Sequence, residues 1–157
     1  MRIRFLIIVI ITAMTLANPV ALRAQSNGVA VVVNEKNPVT NLTLADLRKL
    51  FSGEKRTWSG GMPVKLFVRA LGAYERVVLL QLLGMSEMEY KEHWTALVYR
   101  GQVLSEPVML FSNGMQREAV QAYPGALAIV NLPDVKPGMK VLRIDGHLPG
   151  EPGYPIK

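Results

Sequence analysis

The sequence predicts an α/β fold in three layers, with helices packed over a sheet, and two observations carry that expectation. Residues 29–33 (VAVVV) form an unbroken apolar run of mostly β-branched residues, the pattern of a strand buried on both faces, as in a parallel sheet covered by helices. Four stretches of helical periodicity then alternate with further short apolar runs, which is how a layered α/β domain reads.

Thr43 is placed to cap the first helix, with Asp46 three residues on, and Leu44, Leu47, Leu50 and Phe51 recur at helical spacing until Gly53 supplies a stop. After a turn at Ser59-Gly60-Gly61, residues 64–69 (VKLFVR) alternate as a strand does. A second helix is expected from Ala73 to Leu83; it is apolar nearly all round, so it should be the most buried, and Gly84 is placed to end it. Ser86 with Glu89 makes a capping box for a third helix, on which Tyr90, Trp94, Leu97 and Val98 share one face. Residues 108–111 are short and apolar. Ser112 or Asn113 then caps a fourth helix, expected to turn Met115, Ala119 and Tyr123 inward and to end at Pro124-Gly125. Residues 126–130 (ALAIV) and 140–144 (KVLRI) read as two more strands, and the Pro- and Gly-rich stretch 146–157 as irregular.

The first two dozen residues have the form of an export signal: Arg2 and Arg4 precede an apolar run from Phe5 to Ala17, with small residues around Ala21 and Ala24. The run is shorter than the roughly 20 residues of a bilayer-spanning helix and is broken at Asn18-Pro19, which favours cleavage after Ala24 over an anchor. The remaining residues, 25–157, suit a single domain with one core. Without the leader's three arginines the formal charge falls from +6 to +3, and the remaining Lys and Arg are scattered among acids. No basic run marks a nucleic-acid partner, and no membrane insertion of the mature chain is expected. The absence of cysteine excludes disulfides, thiolate metal sites, a cysteine nucleophile and a lipid-modified N-terminal cysteine. An exported chain of this kind suits a periplasm.

Residues 31–61 (VVVNEKNPVTNLTLADLRKLFSGEKRTWSGG) combine a strand, an Asn-Pro turn, a Leu-Thr-capped helix and a Phe-x-Gly…Trp loop. PGALAIV (124–130) is a Pro-Gly-Ala strand entry, and VLRIDG…GYPI (141–156) a late strand followed by a Tyr-Pro return. Together and in this order these stretches resemble the periplasmic phosphate-binding proteins of ABC transporters, within the type 2 solute-binding family. The resemblance implies a three-layer α/β/α lobe. Full-size members close two such lobes on an anion, whereas this chain resembles one of them.

The resemblance also implies where a ligand would sit. The family's phosphate loop has an Arg followed by Gly-Ser-Gly-Thr, and its counterpart here is Arg69-Ala70-Leu71-Gly72-Ala73-Tyr74-Glu75-Arg76. Arg69 and Gly72 match, but Ala73, Tyr74 and Glu75 stand where Ser, Gly and Thr would be. Two hydroxyl donors are lost and a carboxylate enters the first helical turn, where it competes with an anion. Arg69 is either the anion's counter-charge or a surface or Glu75-paired cation. Ser112 and Asn113, at a second helix N-terminus, are candidate ligand contacts by the same analogy, or simply an N-cap. An outward Tyr74 could meet an organic ligand or a protein.

Nothing in the sequence points to catalysis, a metal or a cofactor. His93 and His147 lack ligand spacing, and no nucleophile elbow, Walker loop or dinucleotide fingerprint occurs. His93 is expected on a helix flank, and Glu87, Glu89 and Glu92 are explained by the helix dipole. Two functions follow as expectations: a module binding phosphate or another small anion for a membrane transporter or sensor, or a protein-interaction module that has lost phosphate binding.

Overall fold

The computed structural model describes residues 28–157; the export signal expected at 1–24 lies outside them. Its strands are β1 (Val29–Asn34), β2 (Asn41–Leu42), β3 (Lys65–Arg69), β4 (Val108–Leu110), β5 (Ala126–Asn131), β6 (Met139–Val141) and β7 (Arg143–Ile144). Its α-helices are α1 (Leu44–Phe51), α2 (Tyr74–Leu83), α3 (Glu87–Tyr99) and α4 (Asn113–Ala122). Five strands form one sheet in the order β4-β3-β5-β1-β6, and β2 pairs with β7 in a small second sheet.

The three layers follow from alternation along the strands. Val29, Val31, Val33, Leu66, Val68, Leu127 and Ile129 pack with Leu47, Leu50 and Phe51 of α1, Val78 and Leu79 of α2, and Tyr90 and Trp94 of α3. On the other face Ala30, Val32, Phe67, Ala128 and Val130 pack with Val120 of α4. Every residue of β1 is buried, as its unbroken apolar run predicts.

The direction of β1 is a correction. It runs antiparallel to both neighbours, β5 and β6, whereas β3 runs parallel to β4 and β5, so the sheet is mixed. An unbroken apolar run reports helices on both faces, and those are present whichever way the adjoining strands run.

The helix caps form as the sequence indicates. Thr43 Oγ1 accepts the Asp46 amide at 3.0 Å, and Ser86 and Glu89 close a reciprocal capping box. Gly84 takes the left-handed conformation after α2 at φ 66°, and its amide turns back to Gln81 and Leu80 carbonyls.

Four details differ from expectation. Met115 and Tyr123 are exposed; Gln116 and Val120 take the inward positions of α4, because the Gln116 amide reaches the Ile129 carbonyl at 2.7 Å and so satisfies a buried polar group. On α2, apolar Val77 is 44% exposed while Glu75 and Arg76 are buried. On α3, Tyr90 and Trp94 are buried but Val98 turns outward. The expected strand 140–144 divides at Leu142 into β6 and β7, which belong to different sheets. The tail is irregular as expected, yet Tyr154 and Ile156 return to the core.

Candidate functional site

Strands β3 and β4 are parallel and in register, with Arg69 opposite Leu110, so both end at the same edge of the sheet. β5, parallel to β3, ends there too and runs into a 3-10 turn at Leu132–Asp134. Helices α2 and α4 begin at that edge on opposite faces of the sheet, since α2 packs in the first core cluster and α4 in the second. The carboxyl ends of parallel strands, with helix N-termini around them, form the position where open α/β sheets hold ligands.

All six residues singled out in the sequence lie at this edge. Arg69 closes β3, and Gly72 makes the turn at φ 85°, a conformation that favours glycine. Ala73 is the N-cap of α2 and, having no side-chain acceptor, makes no capping bond, which leaves the first-turn amides without that partner. Tyr74 follows as the first helical residue, 47% exposed. Across the sheet Ser112 caps α4, its Oγ accepting the Met115 amide at 3.1 Å. Asn113 Nδ2 donates to the Asp134 carboxylate and so ties the β4–α4 junction to the turn after β5.

The electrostatics of the edge centre on Arg69 and Glu75. Glu75 is 3% exposed, and its Oε1 lies 3.6 Å from Arg69 Nε, near enough to neutralise the charge but too far for a good hydrogen bond. Both atoms are buried without a hydrogen-bond partner, while Arg69 Nη1 donates to the Leu110 carbonyl at 3.3 Å. The space beside the pair, lined also by Phe51, Phe67, Val68, Leu79 and Ile129, is too narrow for a water molecule. Of the two alternatives for Arg69, the geometry is that of the Glu75-paired cation. It has one buried N–H unmet, at Nε, and little net charge to offer a second anion.

Arg76, next along α2, was not singled out by the sequence. Its guanidinium grips Glu87 through Nε and Nη2, the shortest contact being 2.7 Å, and lies 4.1 Å over the Tyr90 ring. Burial pushes the Tyr90 phenol up to about 12, so it stays neutral. Asp134 was also missed. Its position in Leu-Pro-Asp directly after a buried strand was the one available signal, since such turns end at the same edge as the strand they follow. Glu87 is thus an ion-pair partner as well as a first-turn acid.

The rest of the chemistry is structural. His93 Nε2 lies 2.7 Å from the Ser52 carbonyl, so this nitrogen carries the proton and the ring, half-buried on the flank of α3, ties α3 to the end of α1. Among the described residues no three His, Asp or Glu side chains gather as metal ligands. No helix among them is long and apolar enough to cross a membrane. A cleft of about 340 Å³, lined by Leu50, Lys55, Arg56, Leu66, Trp94 and Val108 among others, lies near the starts of β3 and β4, away from this edge.

Residues 14–144 match a family described as the PBP superfamily domain. Among solved structures, an ABC-type phosphate transport receptor from Vibrio cholerae is similar with a TM-score of 0.62 and 23% identity over 78% of this chain and 48% of its own. A phosphate-bound putative phosphate ABC transporter substrate-binding protein from Clostridium perfringens is similar with a TM-score of 0.63 and 18% identity, over 78% of this chain and 46% of its own. This chain therefore spans about half the length of the structures it matches, and at these identities what is shared is the fold.

Proposed function

The chain belongs to the PBP superfamily, and from that membership we propose that it is a periplasmic solute-binding-type module, exported by a cleaved leader at 1–24, with 25–157 as its single domain. It binds rather than catalyses, and its contact face is the sheet edge that carries Arg69, Gly72, Ala73, Tyr74, Ser112 and Asn113. Its natural setting is beside an ABC transporter or a sensor for phosphate or another small anion.

The observation that carries the reading is the convergence of two helix N-termini and the Arg69 side chain at one edge. Backbone amides at a helix N-terminus favour an anion. Glu75, 3.6 Å from Arg69, cancels most of the charge an anion would use, so phosphate is held weakly. Calorimetry with phosphate, sulfate and organic acids tests this. A weak, salt-sensitive heat with at least one anion is expected; tight phosphate binding would contradict the role given to Glu75, and no heat with any of them would remove the solute reading.

A second reading has its own support: Leu71, Tyr74 and Phe111 at the same edge are 66%, 47% and 68% exposed. Apolar exposure around a site with a weak anion grip suits a protein contact. In this reading the edge meets a transporter subunit or sensor, and the family's ligand site has become an adaptor surface.

A further inference from the structure

Strand β4 is one border of the main sheet and pairs only with β3 among the described strands. Borders of this kind are normally guarded by charge, proline or a covering segment, because their free backbone groups recruit other strands. The opposite border, β6, has Pro137 just before it and Lys140 within it, whose ammonium is bonded to the Asn37 carbonyl. Pro107 likewise stands directly before β4, a strand of three residues, but unlike β6 it carries no charge: the stretch 107–116, PVMLFSNGMQ, contains no Asp, Glu, Lys, Arg or His. Leu110 points into the core beside α4, so Met109 lies on the other side, 41% exposed, and Phe111, just past the end of the strand, is 68% exposed.

Two further apolar side chains adjoin the end of β4. Leu71, 66% exposed, follows Ala70, whose amide bonds the Leu110 carbonyl at 3.0 Å, and Met115, 44% exposed, lies in the first turn of α4. Residues 70–74, ALGAY, are also free of charged groups. Aromatic and Met side chains without charge are the composition of an interface core, not of ordinary surface. Met115 lies with α4 on the other face of the sheet from Met109; Leu71, Met109 and Phe111 expose on the order of 300–400 Å² together, part of the roughly 800 Å² that each partner of a standard interface contributes.

We propose that this surface joins two copies of the chain, with β4 pairing antiparallel to β4 of the second copy across a two-fold axis. The two five-stranded sheets then run on as one. A second copy is the occupant for two reasons. An edge strand without charged side chains is complementary to itself when turned by a two-fold rotation, since antiparallel pairing exchanges equivalent N–H and C=O groups. A neutral patch also meets its own image without like-charge repulsion, which a basic or acidic patch could not do. The inference does not rest on the solute reading, because it needs no ligand.

The test is sedimentation equilibrium of the protein expressed from its full-length chain, without added ligand, from micromolar to near-millimolar concentration. A monomer–dimer equilibrium is expected. Phe111→Glu and Met109→Lys, both at exposed positions, should shift it at least tenfold toward monomer, while Thr40→Glu, on an exposed loop beyond β1, should leave it unchanged. Thermal unfolding of each variant checks that the fold is retained. A wild-type protein that stays monomeric, a dimer equally strong in Phe111→Glu and Met109→Lys, equal weakening in Thr40→Glu, or growth into open polymers would each overturn the proposal.

Discussion

Glu75 is where a single side chain decides the character of the proposed anion site without altering the fold around it. It occupies the first turn of α2, where the helix dipole already favours a carboxylate, and it sits almost fully buried against Arg69. The double change Ala73→Ser and Glu75→Thr should therefore restore two hydroxyl donors and free the guanidinium. Without ligand the variant should lose stability, because a largely buried cation is left unpaired. Phosphate should then bind more tightly than to wild type and raise the melting temperature, and adding Arg69→Ala should abolish the gain. The measurements are calorimetry and thermal melts with and without phosphate; weaker phosphate binding in the double variant would contradict the role assigned to Glu75.

Trp94 is the corresponding case in the core. It is 3% exposed, and a Cβ placed on Gly53 would lie 2.8 Å from its Cη2. Trp94→Ala should cost about 3–5 kcal/mol through the cavity it leaves. Gly53→Ala should cost about 1–3 kcal/mol, since φ is 79° there and the ring must give way. Denaturant titration of the two variants decides the matter, and a change within experimental scatter for Trp94→Ala would mean that the α1–α3 contact is not as described.

At the scale of elements, the caps make stability depend on pH in a definite direction. The Glu89 carboxyl is held below its ordinary range by the Ser86 backbone amide and then by the Ser86 hydroxyl, and Asp46 is lowered by the Thr43 hydroxyl and then by Lys55. A carboxyl whose folded-state pKa is depressed adds stability above its unfolded value and loses it as pH falls through the folded one. The N-termini of α1 and α3 should therefore loosen in acid, below the ordinary carboxylate range. Amide exchange at Asp46 and Glu89 followed against pH reports it directly, and Glu89→Gln should flatten the α3 response while keeping a capping bond. Protection that stays level through that range in wild type would refute this. Ser86→Ala, by removing the hydroxyl cap, should cost about 1 kcal/mol.

Elements also differ in how openly the sequence announces them. The starts of α1 and α3 were legible because capping is local: the donor and acceptor lie three residues apart. The inward face of α4 was not, because Gln116 reads as polar until the Ile129 carbonyl is there to receive its amide. Val77 was misjudged for the same reason in reverse: α2 turns Glu75 and Arg76 inward to partners on β3 and α3.

At the scale of the molecule, one sheet serves as floor to both core clusters, so neither helical layer can leave without exposing the other face. A chain beginning at Gln25 should accordingly unfold in a single cooperative transition, with far-ultraviolet circular dichroism and tryptophan fluorescence coincident. Trp58 and Trp94 both lie in the first cluster, so circular dichroism reports the whole fold and fluorescence that cluster alone. Two separated transitions would show that the layers are independent.

By itself the sequence determined the fold class, the caps and the four helices, because each of these rests on interactions between residues close along the chain, while the stretch Arg69–Arg76 was marked as the place to look by the family resemblance alone. Strand direction, the division of residues 140–144 between two sheets, the Asn113–Asp134 tie and the burial of Glu75 against Arg69 were decided only by tertiary structure. Each of these depends on which distant segment lies alongside. An apolar pattern records that a residue is covered, whereas its partner is chosen by the packing of the whole chain.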